Sequence, residues 1–584
     1  MSLVPPTSDA ASTRPTRLYL IHHLIGLGQS MDGHEFTRPT ETESSFFFIY
    51  AVIAFVVAFC FNQRRKRRQP DLSHIPTAGY ESFLLSWVSA IEFTTNASRL
   101  LQKGYDDYKP GIFKVASLNR WTVVVTGQRL IEEMRKAPDD HLSFPQAANE
   151  VVQIPYTIGQ EITEDPYHVP IVGVQLTRSM HALVPAMRDE MIAAFLDKLP
   201  SGEPGEWTSL PAVETMMYII SRISNRVFVG LPLCRDPGYI DLNMKFAGDV
   251  LKGAIVVGMF PKFIRPLVAR LFTNLPRTIR RMMSYLKPIV GERQRMNTQG
   301  GDPAHKTNDM LTWLMNESRD DRALLRDLSL RILAVNFAAI HTSSMSFTHA
   351  LFHLASRPEH AQSLRDEVEA VVRKEGWNKA AVDKMQRLDS FLRESMRFSG
   401  LRSCRLEYCL PIACTGVALV AMMRKATRSF VFSDGTDIPE GTFLFAASQP
   451  IQKDPARYPE PHNFDASRFS RPVPSSQEAE PMDPDGFSDG GISFKGSRFS
   501  DSTTVPTKNH LVAAAPDFLG WGYGRRACPG RFFAAMELKL LLAHIVTNYD
   551  VKLKEEGVRP QDLWVEANCL PNMKAEVMFR RRQK

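Results

Sequence analysis

Residues Phe518–Ala534 read F-L-G-W-G-Y-G-R-R-A-C-P-G-R-F-F-A. A single cysteine, Cys528, stands between a Gly-rich turn and an apolar run, Phe532–Val546, that has the length of a helix. Pro529 suits a first helical position, where its missing N–H would have no partner anyway. A helix starting there aims partial positive charge at the sulfur, which favours thiolate over thiol. Gly522 and Gly524 allow a tight turn and a close approach of backbone to a flat ligand. Arg526 is placed to pair with an anionic group beside that ligand. A thiolate at a helix start, with glycines and an arginine around it, suits an axial iron ligand.

The fixed positions Trp521, Gly522, Gly524, Arg526, Cys528 and Gly530 resemble the haem-binding loop of the haem-thiolate monooxygenases, the cytochrome P450 family. The family pattern is aromatic-Gly-x-Gly-x-Arg-x-Cys-x-Gly, with phenylalanine usual where Trp521 stands. Alone, Cys528 would read as a small buried hydrophobe in a loop; the accompanying positions turn the reading to haem. The resemblance implies haem b with Cys528 as the metal ligand. It also implies a mainly α fold with a smaller β-rich subdomain, the haem lying between a long central helix and the cysteine loop.

The chain has 584 residues, the size of one large catalytic domain with appendages, and a globular hydrophobic fraction of 44%. Much of the net charge of +8 is local, in Arg64–Arg68 and in Arg580, Arg581, Arg582 and Lys584. These runs are not interleaved with aromatics, so they fit a membrane surface or solvent and not a nucleic acid. The seven cysteines lack framework spacing, which argues for a reduced compartment.

Residues 1–43 are rich in Pro, Thr and Ser and read as a disordered lumenal N-terminus. The apolar run Phe46–Phe61 comes next; with its small flanks (residues 44–62) it is about long enough to span a bilayer as a helix. The basic cluster directly after it places everything downstream on the cytosolic side. A cleaved signal peptide is the rival reading; the depth of the run and the side its charge lies on argue against it. A basic, Pro-containing linker, 63–76, then leads to a catalytic domain over 77–584. The expected location is the endoplasmic reticulum membrane, single-pass, with the sequons at Asn96 and Asn316 cytosolic and unglycosylated.

Asp327–Leu354 reads as one long apolar helix containing A-A-I-H-T-S, Ala338–Ser343. It resembles the family's central helix, in which small–Gly–x–acid–Thr crosses the haem face. The resemblance makes Thr342 the hydroxyl that organises oxygen and a proton-carrying water. His341 replaces the usual carboxylate; turned about 100° from Thr342, it stands where a proton relay would be. The alternative is a satisfied core histidine and a threonine bonded to its own backbone. Glu394 and Arg397 share a helix face in L-D-S-F-L-R-E-S-M-R. They resemble the family's E-x-x-R, part of a structural triad whose third member is Arg468 or its rival Arg498. Arg178 is a candidate for a haem propionate, or a solvated helix charge. Tyr156–Val174 resembles the variable region over the haem that shapes substrate access.

Two stretches read as insertions. Arg471–Gly491 is Pro/Ser/Asp/Gly-rich and fits a surface loop. Leu401–Gly416 has neither helical nor strand periodicity and carries Cys404, Cys409 and Cys414; it reads as a retained intron, with a real loop beside the pocket as the alternative.

The resemblance, closest to fungal microsomal members and the ent-kaurene-oxidase-like group, implies a monooxygenase. It would hydroxylate an apolar small molecule, a terpenoid or other secondary metabolite. Electrons would come from NADPH through cytochrome P450 reductase docking near Arg525 and Arg531. A haem-thiolate isomerase or peroxygenase, and a non-catalytic haem sensor, are the competing readings.

Overall fold

The computed structural model describes residues 70–583 except 83–84, 119, 200–204, 299–306, 319–323, 400–420, 472–508 and 566–567. The N-terminal segment 1–43, the apolar span 44–62, the first half of the linker (63–69), the 401–416 insertion, almost all of 471–491 and Arg498 lie outside the described residues. No helix among the described residues is long and apolar enough to cross a membrane.

The fold is mainly helical with a small sheet region. Twelve short strands are described: β1 (Ile112–Ala116), β2 (Trp121–Val125), β3 (Leu142–Ser143), β4 (Trp207–Pro211), β5 (Ala421–Ala426), β6 (Phe430–Val431), β7 (Asp437–Ile438), β8 (Phe443–Ala446), β9 (Tyr549–Lys552), β10 (Leu563–Val565), β11 (Asn568–Leu570) and β12 (Glu576–Arg581). The main sheet runs β1-β2-β8-β5-β3, and β4-β12-β9 form a second sheet. The β2–β8 pair is parallel, with Val124 opposite Phe445; the other pairs in both sheets are antiparallel. W-T-V-V-V is β-branched and buried on both faces, as a strand inside a covered sheet should be. One apolar core joins it to the helix Leu85–Tyr108 through Val123, Leu101 and Phe113.

The larger core is built on the central helix, Leu324–Ser356, longer at each end than its apolar run suggested. It packs on Ala212–Phe228, Leu275–Thr298 and Gln386–Ser399. Almost all its residues are buried, so it behaves as the axle of the fold, with no polar face turned to water. The proximal helix, Arg531–Asn548, is likewise buried nearly all round and contacts the central helix.

Glu394 and Arg397, one turn apart on Gln386–Ser399, are fully buried. Arg397 forks onto the carboxylate at 2.7 and 2.8 Å. Arg468 donates its Nε to both oxygens of the same carboxylate, at 3.2 and 3.1 Å. The remaining guanidinium donors go to carbonyl oxygens: Arg397 to Gln452 and Pro461, Arg468 to Pro459 and Asn463. One carboxylate thus fastens the irregular segment 452–469 to the helix. Every lone pair and donor of such a group needs a partner, because an ion left single in the core is strongly unfavourable. Glu394→Ala would strand two guanidiniums. We predict a loss of about 3–5 kcal/mol of stability, the range for breaking a buried pair, read as a large drop in thermal midpoint. A change below about 1 kcal/mol, the worth of an exposed pair, would show that the cluster does not brace the fold.

Candidate functional site

Gly522 and Gly524 both sit at positive φ, +74° and +72°. At Gly524 a Cβ would come within 2.1 Å of the Arg135 side chain, so the turn tolerates no side chain there. The turn brings the Cys528 N–H to the carbonyl oxygen of Trp521 at 2.7 Å, closing the loop. Trp521 is buried and donates its Nε1–H to the Leu511 carbonyl at 2.7 Å. Cys528 is half-buried and in no disulfide.

The proximal helix begins at Arg531 with Gly530 as its cap, two residues later than a Pro529 start. Pro529 therefore occupies the turn ahead of the helix. The sulfur still faces backbone N–H groups, from Gly530 and Arg531, and the Arg531 charge. These pull the thiol down, but burial outweighs them and its net displacement is upward. The helix start alone does not make a thiolate here.

Arg526 is ion-paired with Asp139, and Arg525 donates to the Ala137 carbonyl at 2.9 Å. Both arginines are exposed. A third, Arg424 on β5, is buried, and burial pushes its guanidinium down to about 10. Arg526 and Arg525 push it the same way, and Asp139 opposes them. Arg526 and Arg424 thus share Asp139, with Arg525 close enough to act on Arg424, a donor set beside the cysteine loop suited to further carboxylates. Arg178 is exposed on the first turn of Leu176–Lys198.

From Leu328 to Ser356 every residue of the central helix is buried except Phe337, Ala338, Ala339 and Thr342. This one window is lined by small and apolar groups and a hydroxyl. Thr342 Oγ1 donates to the Ala338 carbonyl at 2.7 Å, leaving its lone pairs toward the opening. His341 turns away into the helix interface, with its Nε2 3.0 Å from the Met244 carbonyl oxygen. A carbonyl only accepts, so the proton sits on Nε2.

The residues fit a haem. A free half-buried cysteine is available as axial ligand, and the buried and exposed arginines offer partners for propionates. The window at Phe337–Thr342 admits a flat apolar face. Trp521, Gly522, Gly524, Arg526, Cys528 and Gly530 form one loop, whereas Thr342 and His341 belong to the central helix. The Glu394–Arg397–Arg468 cluster is a separate clamp.

Sequence patterning does not reveal two further groups. Arg424 is visible only as one charge in M-M-R-K, with nothing to say which strand face it takes. Glu537 is the lone acid within the apolar run of the proximal helix. It is fully buried; Ser224 donates to its Oε1 at 2.8 Å, Ser343 bonds it as well, and its Oε2 has no hydrogen-bond partner among the described residues.

A profile of the family described as "Cytochrome P450" matches residues 178–579. "Cytochrome P450 monooxygenase 151" of Postia placenta is 40% identical over 91% of this chain and 98% of its own. "Cytochrome P450 monooxygenase CYP512U6" of Ganoderma lucidum is 33% identical over 90% and 94%. "Cytochrome P450 monooxygenase paxQ" of Penicillium paxilli is 31% identical over 90% and 94%. Among solved structures, "Retinoic acid bound cyanobacterial CYP120A1" aligns with a TM-score of 0.58 at 18% identity, covering 87% of this chain and 99% of that one; it supports the fold alone.

Burial pushes the Glu537 carboxyl up to about 8. The folded state therefore holds a proton that the unfolded chain releases near its ordinary value of 4.5. This stability is full below that value and is lost as pH rises through about 8. Glu537→Gln keeps the shape and removes the titration. The variant's thermal midpoint should gain on the wild type progressively between pH 4.5 and 8 and stay level above. Parallel curves over that range would mean that Glu537 does not titrate in the fold.

Proposed function

Because the chain belongs to the cytochrome P450 family and is a cytochrome P450 monooxygenase, with haem-thiolate ligation, we propose that it hydroxylates an apolar small molecule, a terpenoid or another secondary metabolite. Oxygen would be the co-substrate, with electrons drawn from NADPH through a membrane-bound cytochrome P450 reductase. The observation that carries this reading is the closed cysteine loop, which leaves one free, half-buried sulfur ahead of a buried helix.

Bound there, haem supplies the oxygen chemistry, and its thiolate ligand favours O–O cleavage. The protein's share is positional. Cys528 would ligate the iron, with Trp521, Gly522, Gly524, Arg526 and Gly530 shaping its loop, and Arg424 and Arg526 would hold the propionates. Thr342, whose hydroxyl is held at the window by Ala338, would anchor a water and hold a proton. His341, with Nδ1 as its acceptor face, would act on that water network only through the helix interface. Glu394, Arg397 and Arg468 keep the segment 452–469 in place behind the site. Arg525 and Arg531 offer positive charge to an acidic redox partner.

A membrane surface is part of the proposal, with the catalytic domain facing the cytosol at the endoplasmic reticulum. The apolar run 46–61 and the basic cluster after it support this. So does the segment 259–272, where Phe263 is 83% exposed, Leu271 67% and Phe272 65%. Every charged residue from Met259 to Gly291 is Lys or Arg, which complements anionic headgroups.

Incubating microsomes with reductase, NADPH and candidate terpenes, and identifying the oxygenated product, tests the substrate class. In the same assay Thr342→Ala should retain haem and consume NADPH, yet release peroxide in place of product. Unchanged coupling would make Thr342 a structural residue, and peroxide-supported turnover without reductase would favour the peroxygenase reading.

A further inference from the structure

His349 is a buried titratable group that the haem site does not use. It stands two turns past Thr342 on the central helix, about 10 Å along the axis. Two residues of the C-terminal hairpin meet it there: Asp562, directly ahead of β10, and Cys569, on β11. One ligand atom from each of the three lies within 4.8 Å of the other two. His349 and Cys569 are both buried, and Cys569 is in no disulfide.

Two atoms of this cluster lack a partner. His349 Nε2 and Asp562 Oδ1 are buried, yet neither makes a hydrogen bond among the described residues. Buried polar atoms are normally bonded, so a pair of such atoms in one cluster points to a partner from outside the chain. The donor set says which kind. Thiolate, imidazole and carboxylate are the protein ligands of zinc, whereas magnesium and calcium take oxygen alone. A tetrahedral zinc holds its ligand atoms about 3.5 Å apart, so the cluster has to contract by about 1 Å.

One neighbour opposes a cation. Arg559 donates from Nη2 to His349 Nδ1 at 2.9 Å and from Nη1 to Asp562 Oδ2 at 3.0 Å. A ligating imidazole has one nitrogen on the metal and a hydrogen on the other. With zinc on Nε2, Nδ1 carries that hydrogen and cannot accept from Arg559; with zinc on Nδ1, its lone pair is spent. Either way the metal and the Arg559–His349 bond exclude each other. Arg559 retains its bond to Asp562 and a second one to the Pro560 carbonyl at 3.2 Å.

We propose that His349, Asp562 and Cys569 form a zinc site, completed by water, that staples the hairpin β10–β11 to the central helix. Binding releases the Cys569 thiol proton and the Arg559–His349 contact. The site uses no residue of the cysteine loop and does not depend on which substrate the chain oxidises. Because zinc would bind the folded chain, it should raise the thermal midpoint with its concentration.

The test uses the full-length haem-loaded chain, stripped with a chelator, given a slight excess of zinc chloride and passed through gel filtration. Elemental mass spectrometry counts zinc against haem iron, and zinc-edge X-ray absorption reports the ligands. The wild type should retain one zinc per haem, with sulfur at about 2.3 Å beside nitrogen and oxygen at about 2.0–2.2 Å. Cys569→Ser should lose the sulfur shell and bind zinc about tenfold more weakly or worse. Arg559→Met removes the competitor and should bind zinc several-fold more tightly, a gain that a purely structural cluster would not show. Cys569→Ser keeps the test decisive where Arg559→Met does not fold. The reduced carbon monoxide spectrum verifies for each protein that haem is loaded. A wild type that retains no zinc overturns the site. So does zinc held equally by Cys569→Ser, or bound by nitrogen and oxygen alone, which marks an adventitious ion only. A folded Arg559→Met with no gain in affinity overturns the competition and the assignment with it.

Discussion

The site depends on holding one sulfur still in a place where it does not ionise by itself. The Cys528 N–H to Trp521 carbonyl bond, 2.7 Å long, closes the loop; Gly524 fits it over Arg135; the Trp521 indole pins it to Leu511. Burial pushes the thiol up against the pull of the Gly530 and Arg531 N–H groups. A metal cation reverses that balance, because a coordinated thiol is deprotonated outright. On the proposed reading the loop would supply position and a bound iron would supply the charge. Position is the costly part, since it draws on a positive-φ turn, a buried indole and arginines anchored on 137–139.

Two buried carboxyls show the same balance settled in opposite ways. Glu394 is surrounded by two guanidiniums and a backbone N–H of Asp465, and the assembly is a charged clamp. Glu537 has serine hydroxyls for partners and no cation, so desolvation prevails and it remains protonated at neutral pH. The helices that carry them pack on each other, yet one carboxyl holds its joint by charge and the other as a neutral acid.

Local spacing was legible in the sequence and distant contacts were not. Glu394 and Arg397, three residues apart, had to share a helix face, and the pattern around Cys528 gave the loop and the family. The long apolar run over the central helix located Thr342 on it, although only folding showed that Phe337, Ala338, Ala339 and Thr342 form the one window between Leu328 and Ser356. His341 read as a relay candidate because nothing local revealed a carbonyl 97 positions away in the chain, on Met244. Arg424 was hidden by the two-residue period of a strand, which leaves its inward face undetermined until a neighbour covers it. The helix start shifted from Pro529 to Arg531 because Gly530 takes the cap.

The central claim is that Cys528 is the iron ligand, and the absorption spectrum of the reduced protein under carbon monoxide tests it most directly. The wild type should show the red-shifted band of thiolate-ligated haem, and Cys528→Ser, expressed with the same fold by circular dichroism, should lose that band. A serine variant that retains it would contradict the account.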